Sequence, residues 1–159
     1  MELVNRILQH PTFQRELQAL EHLERNRIFC RHGVEHLLEV ARLAYLYNLE
    51  EGLGISARLI YAAALLHDIG RGEQYRTGTP HDVAGLALAE PILQDCGFSP
   101  EEQTAILEAI SAHRGDGGKR QALGALLYRA DKKSRPCFAC EARKLCNWPP
   151  EKQNLILER

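Results

Sequence analysis

The sequence has no apolar run approaching the ~20 residues that cross a bilayer. Its opening segment, MELVNRILQHPTF, mixes charge and proline into the first turns and does not read as an export signal. Net charge is nearly absent: 20 basic side chains against 21 acidic ones leave −1. That balance excludes the broadly basic surface of a general nucleic-acid or membrane-surface binder. No glycine-rich phosphate loop is present, so the chain is not a P-loop protein. Alternating polar–apolar stretches, internal repeats, low-complexity segments and interdomain linkers are missing too. What is there is an ordinary globular mixture of 159 residues, 45% hydrophobic and 26% charged, enough for one compact domain, 1–159, with a real core. A cytoplasmic location follows as an expectation, with Cys30, Cys96, Cys137, Cys140 and Cys146 reduced.

Apolar residues recur at helical spacing almost throughout. Phe13, Leu17, Leu20 and Leu23 form one stripe over 12–27. Leu37, Val40, Ala41 and Ala44 form another over 33–48. Ser56 is placed to cap a helix that runs to His67, with Gly70 ending it in a left-handed turn. Thr79 caps the next helix, with Pro80 at its first position. Ser99 and Glu102 make a capping box for a helix running to about His113, where Gly115 and the GDGG run end it. A further helix covers roughly 120–131, followed by a Cys-rich tail over 136–159 that includes WPP and a short final helix. The expected fold is an all-α helical bundle with an irregular tail.

One stretch does not fit a plain core. The apolar run Leu59–Leu66 ends in His67 and Asp68, ionisable groups that are costly to bury unless paired, hydrogen-bonded or metal-bound. Other helices offer partners. His36 shares a face with Val40 and Leu43, His113 follows Ile106 and Ile110, Asp131 follows Leu123 and Leu127, and His81 opens its helix. A single inward histidine is usually a hydrogen-bonded core residue. Six such residues on five helices, without buried bases in the same runs, point instead to a metal. Mixed nitrogen and oxygen ligands suit Fe, Mn, Zn, Co or Ni.

The segments HLLEVARLA (36–44), LLHDIGR (65–71) and YRAD (128–131) resemble the motifs of the HD superfamily of metal-dependent phosphohydrolases, over roughly residues 30–135. The resemblance implies an HD-domain bundle with one metal on His36, His67, Asp68 and Asp131. HDVAGLALAE (81–90) and AISAHRG (109–115) resemble a subset with two more histidines, which includes the HD-type diadenosine tetraphosphatases. That likeness implies a second metal on His81 and His113, with Asp68 bridging and Asp82 left as a helix-start carboxylate. His32, one turn before His36, either contacts substrate or a second metal, or makes a local hydrogen bond.

The implied activity is hydrolysis of a phosphate ester or anhydride of a small phosphorylated substrate, a nucleotide above all, by metal-activated water. The implied cofactors are two divalent transition-metal ions, iron first. Neither a nucleic-acid polymer nor a membrane is an expected partner. Basic residues crowd the same region: Arg114, Lys119, Arg120, Arg129, Lys132, Lys133 and Arg135. Among these and Arg71, phosphate roles fall to Arg71, Lys132 and Arg135, with catalytic weight on Asp68, Arg71 and Lys132. Tyr75, Tyr128 and Phe138 are candidates for stacking a base. Cys137, Cys140 and Cys146 form a candidate second metal site that lacks a fourth ligand, which Cys30 or a histidine could supply. Two rival functions use the same residues: a di-iron oxygenase of the HD type, and a non-catalytic metal or redox sensor.

Overall fold

The structure, a computed structural model, describes residues 1–113 and 121–157. Among them are eight α-helices and no strand: α1 (Glu2–Gln9), α2 (Pro11–Leu23), α3 (Val34–Glu50), α4 (Ala57–Leu66), α5 (Arg71–Thr77), α6 (His81–Cys96), α7 (Pro100–Ala112) and α8 (Ala122–Lys133). Helix α4 is the axis of the bundle, packed against α1, α3, α7 and α8. Ile60 and every residue from Ala62 to Leu66 are buried. The three alanines in that run let neighbouring helices approach closely, and leucine and isoleucine side chains from α3, α6, α7 and α8 fill the space around them.

Several boundaries differ from expectation for identifiable reasons. The Ser99–Glu102 capping box is present in full, whereas Ser56 precedes α4 without a side-chain cap. Leu23 is 44% exposed; Glu24 takes the inward position in its place, held there by hydrogen bonds from His32. Helix α6 begins at His81, not at Pro80, because Pro80 has non-helical dihedrals and is itself the cap position. The Thr79 hydroxyl is engaged by Thr77. Gly70 is right-handed, with φ −77°, and leads into α5, a helix that no apolar stripe announced. Its lack of a side chain is a packing requirement: a Cβ there would stand 2.2 Å from the His81 carbonyl oxygen and 2.4 Å from the Gly85 nitrogen. Left-handed turns fall later, at Gly78, which ends α5 with φ 81°, and at Gly97, which ends α6 with φ 88°.

Among the described residues the tail forms three single-turn 3-10 helices, the short final one at Pro150–Lys152. Its amides are used to hold it to the body. Asn154 Nδ2 donates to the carbonyls of Lys132 (2.8 Å) and Arg135 (3.0 Å), at the C-terminal end of α8. The expected helix stop at Gly115 and GDGG, and the side chains of Arg114, Lys119 and Arg120, lie outside the described residues.

Candidate metal centre

The ionisable residues singled out in the sequence meet in one place because each lies at the inward end of its helix. His36 is in the first turn of α3, and His67 is the C-cap of α4 with Asp68 after it. His81 opens α6, His113 is the C-cap of α7, and Asp131 is in the last turn of α8. All six are buried. Their donor atoms form two compact groups that could hold a metal ion: His36, His67, Asp68 and Asp131, and Asp68, His81 and His113. In the first, His36 Nε2 lies 3.6 Å from Asp68 Oδ2 and 3.3 Å from Asp131 Oδ1. His67 Nε2 lies 3.2 and 3.8 Å from the same two atoms. In the second, Asp68 presents its other oxygen, Oδ1, to His81 Nε2 at 3.3 Å and to His113 Nε2 at 3.9 Å. Bonds of ~2.1 Å to a common ion separate neighbouring ligands by about 3 Å, so these spacings are near what an ion needs.

The imidazoles are aimed by partners on their far nitrogens. His67 Nδ1 donates to Ala64 O at 2.7 Å and His113 Nδ1 to Ile110 O. Both acceptors are carbonyls in the last turn of a helix, where acceptors are in excess of helical donors. His81 Nδ1 meets Gln74 Oε1 at 2.8 Å. Ser134 Oγ, which donates to Asp131 O, receives His36 Nδ1 at 3.4 Å. Each Nε2 therefore points into the cavity as the atom that can ligate once deprotonated, the arrangement found around metal-binding histidines. Two further observations fit a cation. The Nε2 atoms of His81 and His113 face one another at 3.0 Å, a spacing that needs a shared proton or a metal ion between them. His67 Nε2 and Asp68 Oδ2 are buried and face only the other members of this ligand set, with no well-aligned bond from the helices around them, although burial of such groups is normally compensated.

Electrostatics prepare the same atoms. Burial raises the carboxyl pKa of Asp68, but the His67 charge and hydrogen bonding from His36 and His67 hold it well below the usual range. Asp131 is likewise held low against burial, by hydrogen bonds from His36 and His67 and by Lys132. Burial works against protonation of His67, yet Asp68 and Asp131 push it up to about 10. Burial, and then the charge on His67, push His113 down to about 4.

The three cations expected to meet phosphate all sit on the metal-facing carboxylates. Arg71 Nε is 3.0 Å from Asp68 Oδ1 and Lys132 Nζ is 2.8 Å from Asp131 Oδ2. Arg135, only 8% exposed, donates through one guanidinium nitrogen to His36 Nε2 at 3.0 Å and to Asp131 Oδ1 at 3.4 Å. Arg129 points elsewhere, over the Tyr47 ring and onto Glu51.

His32 stacks edge-on to His36, and its Nδ1 is 2.6 Å from Glu24 Oε1. Tyr75 donates its hydroxyl to the same Glu24 oxygen at 2.8 Å, so that ring serves as a hydrogen-bond donor. Glu24, Gln74 and Ser134 were not among the expected site residues. Each acts through side-chain contacts made by tertiary packing and leaves no periodic trace, although the helix-end carbonyls under His67 and His113 could have been foreseen. All five cysteines are free thiols. Cys30, Cys137 and Cys140 line one cavity and Cys146 lines another; the compact metal-binding groups among the described residues are the two His/Asp sets.

The HD-domain family model matches residues 33–142. An uncharacterized protein of Clostridium beijerinckii is 40% identical over 154 residues, covering 97% of each chain. Ribonuclease Y of Clostridium perfringens is 34% identical over 114 residues, 72% of this chain and 20% of its own. Ribonuclease Y of Desulforamulus reducens is 32% identical over 115 residues, with the same coverage. The chain thus spans about a fifth of these two ribonuclease Y relatives. No solved structure matches it. With the family model covering 33–142, and with His36, His67, Asp68 and Asp131 meeting at one point as the family's motif order implies, the chain belongs to the HD-domain family.

Proposed function

We propose that the protein is a dinuclear metal-dependent phosphohydrolase acting on a small phosphorylated compound, with His36, His67, Asp68 and Asp131 holding one ion and Asp68, His81 and His113 the other. The observation that carries this reading is the two-sided carboxylate of Asp68, whose Oδ2 faces one set of ligands and whose Oδ1 faces the other. Divalent transition-metal ions bound there, iron first and Mn, Zn, Co or Ni as alternatives, would draw charge off a phosphoryl group and lower the pKa of the attacking water.

The chain's own groups supply the rest. Arg71 and Lys132, both partly exposed, offer donors at the rim for phosphate oxygens, and Arg135 offers a planar fork deeper in. His32, fixed by Glu24 and edge-on to His36, is assigned to substrate contact beside that set. The cations on the carboxylates favour phosphate over the oxygen chemistry of an HD-type di-iron enzyme.

The likeness to ribonuclease Y makes an RNA phosphodiester the second substrate class to test. Purified protein loaded with Mn or Fe is screened for phosphate release from nucleotides and sugar phosphates, and for cleavage of a short oligoribonucleotide. Asp68→Ala is expected to abolish turnover and to lose both ions by elemental analysis. Unchanged metal content in that variant would refute the bridging role.

A further inference from the structure

Beside the metal centre lies a cleft of about 710 Å³ between α8 and the tail, a volume typical of small-molecule sites. Tyr128 and Lys132, one turn apart on α8, form one wall, and Trp148 in the tail stands opposite. The Lys132 ammonium is 5.5 Å from the centre of the Tyr128 ring and 5.6 Å from that of Trp148. The same ammonium is 2.8 Å from Asp131 Oδ2. One lysine side chain thus joins an aromatic cleft to a metal-facing carboxylate. The backbone of Trp148 is held from both sides: its amide N–H donates to Cys146 Sγ at 3.4 Å, and its carbonyl accepts from Gln153 Nε2 at 2.7 Å. Asn147, Gln153 and Asn154 add amide groups to the lining.

We infer that this cleft is a nucleobase subsite, in which the base of a nucleotide stacks on Trp148 while its phosphate lies at the Asp68–Asp131 centre; the inference rests on the phosphohydrolase reading and narrows its substrate class. The spacing suits a nucleotide, since one ribose separates a base from its 5′-phosphate and one lysine side chain separates Trp148 from Asp131. An aromatic face accepts any base, and amide side chains offer both donors and acceptors to base edges. A sugar phosphate would fill the phosphate end and leave the aromatic end open.

Trp148 is the only tryptophan, so its fluorescence reports on this cleft alone. In chelator-treated protein, where turnover is suppressed, AMP and GMP are expected to quench it saturably, whereas ribose 5-phosphate and inorganic phosphate leave it unchanged. Quenching by ribose 5-phosphate equal to that by AMP, or none by any nucleotide, overturns the inference. In metal-loaded protein, Trp148→Ala is expected to raise KM for the best nucleotide about tenfold, the scale of one lost stack. It should leave KM and kcat for ribose 5-phosphate unchanged, and Trp148→Phe should restore most of the loss. Equal effects on both substrates, or on neither, count against a base subsite. If wild-type protein releases phosphate from no compound, the hydrolase reading fails on its own, and the fluorescence titration still decides whether a base binds.

Discussion

At the residue scale, the centre is made of side chains whose charge is set by neighbours more than by their own chemistry. Glu24 illustrates the direction of such effects. Burial would raise its pKa, but hydrogen bonds from His32 and Tyr75 bring it down to about 2. Because the folded value is below the ordinary 4.5, the carboxylate stabilises the fold fully above that ordinary value. The contribution is lost as pH falls from there through the folded value. Glu24→Gln is therefore expected to cost about 2 kcal/mol near neutrality, with the gap between variant and wild type closing towards pH 2 in denaturant titrations. His67 has the opposite sign. Its pKa is raised to about 10 in the metal-free protein, so its contribution is present below the ordinary histidine range and is lost as pH rises through the folded value. Metal must displace that proton, since ligands bind deprotonated. Calorimetric titration with Zn or Mn at pH 7.5, repeated in buffers of different ionisation enthalpy, should show proton release; heats independent of buffer would contradict it.

Helices place these residues, and at that scale the decisive contact is where α6 meets the turn after α4. Gly70 touches the backbone of His81 and Gly85, so a methyl group there must push α6, and His81 with it, away from Asp68. Gly70→Ala is expected to destabilise the protein by about 3 kcal/mol and to weaken the second ion more than the first, read by metal stoichiometry after dialysis. What the sequence made legible belongs to this scale. His36, His113 and Asp131 stood out because a polar residue interrupts an apolar stripe, and a stripe can be read without knowing its neighbours. Helix α5 was not legible: its seven residues bury only Gly72, leaving no periodic signal. Nor were Gln74 and Ser134, whose partners lie on other elements and are brought near only by tertiary packing. The Gly70 turn was misread for the same reason, since a glycine required by a neighbouring helix looks identical in sequence to one required by its own dihedrals.

Across the whole molecule, five helices contribute to one buried centre, so the candidate ion sites exist only in the folded bundle. An ion that binds only the folded chain stabilises it by mass action, about 2.7 kcal/mol at a hundredfold excess over Kd. Thermal unfolding with and without Zn or Mn is expected to show a rise in Tm, and chelator should reverse it. His113→Ala should keep part of that rise, since the set on His36, His67, Asp68 and Asp131 does not use it; complete loss would show the two sets to be inseparable.

The spread of these ligands along the chain also sets an order of events during synthesis. His36, His67 and Asp68 leave the ribosome well before His113 and Asp131. A growing chain thus exposes only part of the candidate ligand set. The full set closes only when α7 and α8 dock on α4, so any ion retained would be selected by the finished bundle. Protein made in metal-depleted medium should emerge folded and empty, and its later loading should depend on the ion supplied rather than on the conditions of its synthesis.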